Sequence, residues 1–379
     1  MDQSTTMKCT ECVNEGERKD EGLAFMLRYE NIAWYEDGVV RILDRRVFPQ
    51  KVQFVECRTH IEVMQAIRDM VTQSAGPYTA APMGMALAAW ECRTMDSKGQ
   101  LDHLRKASDC IANARPTTRS RMLQLTQSCI ATAEKALEKG LRADLAIRDF
   151  TVKANDMRYA KIEEAAKHLV DMFPQNGAVM TQCFAETIVG MMLKECRRRG
   201  NGIRLFCPET RPYFQGARLT ATVCHEMGFD TTVITDNMCA FAMQHEGIDV
   251  FTCAADAITM DGYVFNKVGT SQIAICAKHF GIPVFVSGTP DIGHPTWDTV
   301  TIEMRNPDLS LEAMGIRTAL KTDAPEPGIR GYYPAFDMTP PHLISGIVTE
   351  KGILSPYDLA SYSRLGGSGE YSYRDGNGR

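Results

Sequence analysis

The chain has 379 residues, of which 44% are hydrophobic, and its net charge is −5. A chain of this length and composition is expected to fold as two domains, or as one large domain with an appendage. The small negative charge favours neither nucleic acid nor an anionic membrane, and no stretch of about 18 apolar residues could cross a bilayer. We therefore expect no nucleic acid and no membrane among its partners.

The N-terminal residues 1–22 are polar and charged, and they lack the basic and apolar regions of a signal peptide. We expect a disordered leader and a cytoplasmic protein. The 13 cysteines are scattered and odd in number, which is typical of reduced thiols. Cys9 and Cys12 form a lone CxxC pair, and no second pair lies at zinc-site spacing, so a disordered tail is favoured over a metal or redox site.

Residues 23–172 carry the pattern of a small antiparallel sheet followed by a helical bundle. Apolar runs flank Glu36-Asp37-Gly38, which indicates a hairpin. Apolar residues then recur at helical spacing, and Arg115-Pro116 separates two of the helices. The predicted helices are Thr59–Val71, Met83–Trp90, Leu101–Ala112, Thr118–Lys139 and Asp144–Val170.

Residues 173–362 alternate short β-rich runs with amphipathic stretches, which predicts βαβ units. The fold class is therefore α/β, with a Rossmann-like parallel sheet covered on both faces. Such sheets bind ligands beyond the carboxyl ends of their strands. Residues 363–379 are rich in Gly and Ser and are expected to form a flexible tail. Four chemically capable residues each follow a predicted strand: Cys183, Glu209, Asp236 and Asp256.

Two of these residues could carry catalysis. Asp256 follows an apolar strand, where partial desolvation would raise its pKa and suit it to donate a proton near neutral pH. Taken alone, its surroundings favour a helix N-cap or turn aspartate. Cys183 lies at a strand-to-helix junction, where the helix N-terminus would lower its pKa and favour the thiolate. A small buried core residue is the alternative for this cysteine.

Several further residues could bind anions or hydroxyl groups. Lys267, read as the first turn of a helix beside Gly269 and free backbone amides, could hold a phosphate, although a solvated helix-start lysine is the commoner case. The remaining candidates lie in polar loops, where surface ion pairs are an equally good explanation for the arginines. These candidates are Arg115, Arg211, Gln215 and Arg218.

Taken together, the ordered segments resemble one family. They are "ETRPYFQGARLTA", "ITDNMCAFAM", "AADAITMDGYVFNKVGT", "AKHFGIPVFV", "IEMRNP" and "YYPAFDMTPPHLISGIVTEKGI". That family contains methylthioribose-1-phosphate isomerase, archaeal ribose-1,5-bisphosphate isomerase and the non-catalytic alpha, beta and delta subunits of a translation-initiation guanine-nucleotide exchange factor. The N-terminal half, including "ARPT", is similar to the isomerase branch. The resemblance runs from about Ala24 to about Tyr362.

The resemblance implies roles for particular residues. The family's catalytic cysteine and aspartate fall on Cys183 and Asp256, and their retention argues against a regulatory subunit. Matching by motif also implies four substrate-binding residues, which are Arg115, Gln215, Asn266 and Lys267. It further implies a sugar phosphate as ligand, a homodimer, and no metal or organic cofactor.

The chain departs from the family pattern in three places. The Arg-Gly-Ala-Pro phosphate loop of the methylthioribose enzymes is replaced from Thr72 onward, so the backbone amides of Ser74, Ala75 and Gly76 are the remaining anion donors there. The family's "HCNAG" is here "QCFAE", with Cys183 as its second residue. In place of "GADRI" the chain has "AADAI", which loses the arginine after the acid.

We therefore expect a divergent aldose–ketose isomerase that converts a furanose 1-phosphate to the ketose 1-phosphate. Candidate substrates are S-methyl-5-thioribose 1-phosphate, 5-deoxyribose 1-phosphate, ribose 1-phosphate and ribose 1,5-bisphosphate. Asp256 would protonate the ring oxygen, and Cys183 would accept the C2 proton or shape the transition state. The alternatives are a catalytically silent sugar-phosphate-binding relative and a structural partner in a translation-factor assembly.

Overall fold

The structure is a computed structural model that describes residues 18–115, 119–312 and 330–365. Its N-terminal part opens with a short helix and a three-stranded antiparallel sheet. The first two strands join through Asp37 and Gly38, which both have positive φ, as a two-residue hairpin turn requires. The predicted hairpin is confirmed. These elements are α1 (Tyr29–Ile32), β1 (Ala33–Glu36), β2 (Val39–Leu43) and β3 (Phe54–Cys57).

A helical bundle follows the small sheet. Its first helix begins with a capping box, in which the Thr59 side chain accepts from the Glu62 amide and the Glu62 carboxylate accepts from the Thr59 amide. The second helix of the bundle, Pro77–Glu91, is apolar on all sides and packs against the other four helices. It lies at the centre because only there can all of its faces be covered. The helices are α2 (His60–Arg68), α3 (Pro77–Glu91), α4 (Ser97–Ala112), α5 (Arg119–Glu138) and α6 (Ala143–Val170).

The C-terminal part is built on a seven-stranded sheet with the order β13-β12-β10-β7-β4-β5-β6. All neighbouring strands are parallel except β13, which runs antiparallel to β12. The predicted α/β fold class, with a Rossmann-like parallel sheet, is therefore confirmed. The strands are β4 (Ala178–Met180), β5 (Arg204–Pro208), β6 (Asp230–Ile234), β7 (Ile248–Ala254), β10 (Val284–Ser287), β12 (Gly346–Thr349) and β13 (Gly352–Leu354).

The strand order reverses at the centre of this sheet. The chain runs outward from β4 through β5 to β6, and then returns to place β7 on the other side of β4. A reversal of this kind leaves a crevice at the carboxyl ends of the two central strands, where ligands bind in open α/β sheets. The helices of this part are α7 (Thr187–Arg198), α8 (Ala221–Glu226), α9 (Cys239–His245), α10 (Thr270–Phe280) and α11 (Ala360–Arg364).

A second small sheet, which the sequence did not predict, lies next to the large one. Its strands are antiparallel in the order β11-β9-β8 and comprise β8 (Ala257–Ile258), β9 (Val264–Lys267) and β11 (Phe336–Thr339). The prediction that Lys267 begins a helix is therefore wrong, since Lys267 ends β9. Gly269, with a φ of 103°, turns the chain so that α10 begins at Thr270.

The two parts of the chain share one apolar core. Its largest cluster joins Leu27 and Tyr159, from before residue 173, to Leu193, Val250 and Val348. Residues 18–22, assigned to the leader from the sequence, take part in the folded structure: the Asp20 carboxylate is buried and accepts from the Tyr29 amide over 2.8 Å. The rest of the expected leader and the tail from residue 366 lie outside the described residues. No helix in the described ranges is long and apolar enough to cross a membrane.

Candidate functional site

Cys183 and Asp256 lie at the point where the strand order reverses. Cys183 follows β4 and Asp256 follows β7, and these are the two strands between which the crevice opens. The two side chains are close enough for the Asp256 charge to raise the pKa of the Cys183 thiol. Lys267 approaches the same two groups from the end of β9 and lowers the pKa of both. The structure thus brings together three residues that the sequence predicted for the site.

The backbone at Cys183 is held in a conformation that non-glycine residues rarely adopt. Its φ is 58°, and Thr210, which contacts it, has a φ of 62°. The Cys183 amide donates to the Thr210 hydroxyl oxygen over 3.1 Å, and the Thr220 hydroxyl donates to the Cys183 carbonyl. Such backbone strain costs about 1–3 kcal/mol per residue and persists where the surrounding structure enforces it. The position of the thiol is therefore set by β5 and the following turn as well as by its own strand.

The Cys183 thiol is protonated at neutral pH. Burial raises its pKa to about 11, against the opposing effect of the Lys267 charge. The prediction of a thiolate at a helix N-terminus is wrong, because α7 begins only at Thr187 and burial is the larger effect.

Asp256 lies in a cation-rich cleft, where its side chain is accessible to solvent. Desolvation by the surrounding protein raises the pKa of its carboxyl group, which confirms the direction predicted from the sequence, while Lys267, Arg115 and Arg305 oppose that shift. The Asp256 amide donates to the Phe265 carbonyl over 2.8 Å, in the connection between β7 and β8. Of the two structural positions that its surroundings in the sequence favoured, Asp256 is therefore not a helix N-cap but lies in the turn between two strands. An accessible carboxyl group with a raised pKa is suited to general-acid chemistry.

Lys267 is a buried lysine beside aromatic rings. Its Nζ donates to the Tyr333 hydroxyl over 3.2 Å and lies 5.4 Å from the centre of the Phe336 ring. Burial lowers its pKa to about 8. Burial also lowers the pKa of the Arg115 guanidinium, which forms no hydrogen bond with any residue that the structure describes. Both cations are therefore available to an anionic ligand.

Arg305 is a site residue that the sequence reasoning missed. Its guanidinium binds the Glu303 carboxylate over 3.0 and 3.4 Å, and its charge affects the pKa of Cys183, Asp256 and Lys267. The Arg305 amide donates to the Tyr333 carbonyl, which fixes this segment beside Lys267. The only signal in the sequence is its place in the segment "IEMRNP".

Gln215 presents a buried acceptor without a partner. Its Oε1 forms no hydrogen bond within the described part of the chain, and such orphaned groups often await a ligand. Gln215 precedes a π-helical turn, Gly216–Thr220, and turns of this type are frequent at functional sites. Gly216 is required there, because a Cβ would lie 1.8 Å from the Pro208 carbonyl oxygen. Asn266 is also buried and donates from Nδ2 to the Thr270 hydroxyl over 3.0 Å.

The loop predicted to offer amides to a phosphate has two of those three amides, and the Ser74 hydroxyl, engaged within the protein. The Ser74 hydroxyl donates to the Phe184 carbonyl over 2.7 Å, and the Ala75 amide donates to the Glu186 carboxylate. The Gly76 amide donates to the Gln73 carbonyl over 3.0 Å. Phosphate binding by Ser74–Gly76 stays a prediction, and what the structure shows is a loop fastened to the Cys183 segment.

A fully buried ion pair fastens these two segments. Arg45 Nη2 lies 2.7 Å from Glu186 Oε1, and both side chains are inaccessible to solvent. The same guanidinium donates to the Gln73 carbonyl over 2.6 Å. Glu186 has φ 55° and ψ −113°, which is glycine-like backbone, and it stands where the family pattern has Gly. The glutamate therefore adds strain as well as charge, and Arg45 neutralises that charge.

Two other carboxylates bind backbone amides at this rim. Asp337 accepts from the Gly269 amide over 2.7 Å and from the Ser271 amide, and burial raises its pKa to about 6. The amides at the start of α10, which the sequence left free for a phosphate, are thus occupied. Asp236 accepts from the amides of Thr210 and Arg211, so it organises the loop after β5.

A groove adjoins the buried site. Tyr333, whose hydroxyl accepts from Lys267, lines this groove, so it connects the surface to the buried lysine. Arg211 also lines it, and its Nε has no hydrogen-bond partner among the described residues. The other lining residues are Pro212, Val268, Ser310, Tyr332 and Pro334.

Comparison with known proteins defines the family. Residues 74–356 match the initiation factor 2 subunit family, and the chain belongs to it. Among curated relatives, methylthioribose-1-phosphate isomerase 1 of Pseudothermotoga lettingae is 33% identical over 347 residues, covering 88% of this chain and 97% of the relative. Methylthioribose-1-phosphate isomerase of Chloroflexus aurantiacus is 33% identical over 349 residues, with the same coverage.

Solved structures of two kinds share the fold. The 5-methylthioribose 1-phosphate isomerase of Pyrococcus horikoshii OT3 superposes with a TM-score of 0.75 at 26% identity, covering 88% of this chain and 95% of that one. The delta subunit of translation initiation factor eIF-2B from A. fulgidus gives a TM-score of 0.72 at 29% identity, covering 89% and 99%. The family thus includes proteins named as isomerases and proteins named as translation-factor subunits, and the curated relatives support an isomerase role.

Proposed function

We propose that this chain is an aldose–ketose isomerase that converts a furanose 1-phosphate, such as S-methyl-5-thioribose 1-phosphate, to the ketose 1-phosphate. The observation that carries the proposal is the meeting of the protonated Cys183 thiol and the raised-pKa Asp256 carboxyl with Lys267 at the reversal of strand order. A subunit with only a structural role has no need of an acid whose pKa is raised despite the cations around it. The resemblance of the whole chain to the isomerases supports the same assignment.

The phosphate group is assigned to the cations of the site. Lys267 is buried, Arg115 is partly buried, and both lie near Asp256, so a phosphate dianion would compensate for the desolvation of their charges. Gln215 would donate to or accept from a sugar hydroxyl through its unsatisfied amide. Asn266 would contribute from the strand that carries Lys267. Arg305, paired with Glu303, would stabilise the negative charge from further away.

Asp256 is assigned as the acid that opens the ring. An aldose 1-phosphate has no free anomeric hydroxyl, so ring opening requires a proton on the ring oxygen as the bond from C1 to that oxygen breaks. A raised pKa keeps a fraction of Asp256 protonated where an ordinary aspartate would be ionised. The neighbouring cations would then stabilise the carboxylate that remains.

The state of Cys183 favours hydride transfer over proton abstraction. Removal of a proton from C2 by Cys183 would need the thiolate, which a pKa of about 11 makes scarce at neutral pH. A hydride shift from C2 to C1 needs no base to remove a proton from C2. The C2 hydroxyl loses its proton as C2 becomes a carbonyl, and this proton balances the one given to the ring oxygen. A neutral, poorly hydrated thiol would line the path and exclude water.

Substitution of the two central residues tests the assignment. We expect Asp256→Asn to lose at least about 100-fold in kcat, because removal of a positioned acid has effects of this size. We expect Cys183→Ser to lose most of kcat as well, because a hydroxyl is better hydrated than a thiol and would admit water to the hydride path. Circular dichroism and binding of the sugar phosphate, measured by calorimetry, would establish that each variant is folded. Near-normal turnover by either folded variant would contradict its assigned role.

The alternative is a catalytically silent relative that binds a sugar phosphate or joins a translation-factor assembly. The loop at Thr72 favours this alternative, since it lacks the family's arginine and its Ala75 and Gly76 amides are engaged within the protein. The retained chemistry of Cys183 and Asp256 opposes it. A binding assay with turnover monitored in parallel would separate the two, because a silent relative binds the phosphate ester without converting it.

A homodimer is proposed for the assembly. Strand β6 is an edge of the large sheet, and an exposed apolar patch is formed by side chains on β6, in the turn that leads to α9, on α9, and on α10, which packs against α9. The patch consists of Val233, Met238, Phe241 and Ile275. Phe241 is 65% exposed, and a second copy of the chain would cover such a surface. We expect Phe241→Glu to convert a dimer to a monomer in analytical ultracentrifugation, and an unchanged mass would contradict this interface.

A further inference from the structure

Three helices of the N-terminal bundle bring two imidazoles and one carboxylate together, away from the site described above. His60 is the first residue of α2, Glu91 is the last residue of α3, and His103 lies inside α4. Glu91 Oε2 lies 2.6 Å from His60 Nδ1 and 3.1 Å from His103 Nε2. One ligand atom from each of the three residues lies within 4.8 Å of the other two. We propose that these residues form a binding site for a divalent transition metal, with Zn²⁺ as the preferred ion.

The donor set matches the chemistry of zinc. Two histidine nitrogens and one carboxylate oxygen form a ligand set that binds Zn²⁺ with a fourth position left for water. Metal–ligand distances of about 2.0–2.2 Å place the ligand atoms of a tetrahedral site about 3.3 Å apart. The observed 2.6 and 3.1 Å from the carboxylate are close to that spacing, and the two imidazole nitrogens lie within 4.8 Å of each other, so small side-chain rotations would admit the ion.

The surroundings orient the carboxylate for this role. Glu91 Oε1 accepts from the His60 backbone amide over 2.6 Å, which leaves Oε2 to face both imidazoles. Hydrogen bonds of this kind to a ligand's other oxygen are typical of metal centres. No lysine or arginine in the described ranges forms an ion pair with Glu91, so a cation would not have to displace one.

The position of the site indicates a structural role. The three side chains are partly accessible, at 13%, 19% and 26% for His60, Glu91 and His103, so an ion could enter from solvent. Bound there, it would join the start of α2 to the end of α3 and the middle of α4. Since α3 is the central helix of the bundle, binding would stabilise the folded state, and above the Kd this stabilisation would grow with the logarithm of the free-ion concentration.

The test compares metal binding by the full chain and by matched variants. Reduced protein would be titrated with Co²⁺ as a spectroscopic probe and with Zn²⁺ in competition. We expect His103→Gln to bind one fewer ion than the wild type, or to lose at least about tenfold in affinity. His279→Gln, which alters an exposed histidine of α10, is the control and should match the wild type. Co²⁺ at this site should give tetrahedral d–d bands without a thiolate charge-transfer band, which distinguishes it from binding by cysteines.

Equal stoichiometry and affinity in the wild type and His103→Gln would overturn the proposal, as would spectra that show only thiolate ligation. His60→Asn is the second variant if His103→Gln does not fold. Anomalous diffraction from crystals of the wild type soaked in Zn²⁺ gives an independent answer. A peak among the three side chains would support the site, and its absence at full soaking concentration would overturn it.

Discussion

Replacement of Glu186 by glutamine isolates the buried ion pair that fastens the Thr72–Gly76 loop to the Cys183 segment. Glutamine keeps the shape of the side chain and the positive φ of the backbone, so the main change is loss of the negative charge opposite Arg45. Breaking a fully buried pair from one side leaves an uncompensated charge and costs about 3–5 kcal/mol. For a chain of this length, an unfolding entropy of about 2.1 cal/mol/K per residue converts this cost into a fall of about 4–6 °C in Tm.

The same substitution should impair catalysis. Glu186 Oε2 accepts from the Ala75 amide, and Glu186 ends the short segment that begins at Cys183. Loosening this contact would therefore move the Cys183 thiol. Misplacement by about 1 Å can cost about 100-fold in rate. We expect Glu186→Gln to lower kcat far more than it raises KM for the sugar phosphate.

Two comparisons establish the cause of these effects. Glu164→Gln removes the carboxylate of an exposed pair with Lys167 and should change stability by less than about 1 kcal/mol. Arg45→Met combined with Glu186→Gln removes both charges and should recover part of the lost stability. A Glu186→Gln variant that melts within about 1 °C of the wild type would refute this account of the pair. A double variant whose loss of stability relative to the wild type equals the sum of the losses of the two single variants would refute it as well.

Three further predictions concern pH and packing. Because burial lowers the pKa of Lys267 to about 8, kcat/KM should fall as the pH rises through that value. Lys267→Arg should remove this fall at alkaline pH, because arginine stays charged there. An unchanged fall in the variant would assign it to another group. The folded-state pKa of Asp337 is raised to about 6, so its contribution to stability is present at low pH and is lost as the pH rises from about 4 to 6. Asp337→Asn should remove up to about 3 kcal/mol of this pH dependence of the free energy of unfolding, measured by urea titration at several pH values. Parallel pH profiles for the variant and the wild type would contradict this prediction. Gly216→Ala places a Cβ against the Pro208 carbonyl and should destabilise the fold by about 1–3 kcal/mol. The control is Gly202→Ala, on the surface, which should not destabilise it. Equal unfolding midpoints for the two variants would show that the π-helical turn can relax.

Local patterns in the sequence were enough to predict much of the fold. The turn at Asp37-Gly38 and the helices with one apolar face follow from short-range periodicity, which does not depend on distant residues. Helix α3 starts at Pro77, earlier than predicted, because it is buried on all sides and has no polar face to mark its extent. Strand β9 was missed because its partner β11 lies about 70 residues further along the chain, and this pairing leaves no local signal.

For the site as well, features that follow from local sequence could be predicted, and features that depend on distant residues could not. Cys183 and Asp256 could be located from the sequence because both follow strands of a parallel sheet, and such ends converge. The protonation state of Cys183 could not be predicted, since burial outweighs the effect of the nearby helix only once the fold is complete. The pair between Arg45 and Glu186 joins residues 141 positions apart, and neither residue type nor spacing marks it.

Turnover of purified protein with S-methyl-5-thioribose 1-phosphate, followed by NMR for the ketose 1-phosphate, tests the central claim most directly. The other candidate furanose 1-phosphates would be assayed alongside, with Asp256→Asn as the inactive control. The account predicts that the wild type converts at least one of these substrates and that the variant does not. Binding of the phosphate esters without conversion of any of them would contradict the isomerase assignment and establish the silent-relative reading in its place.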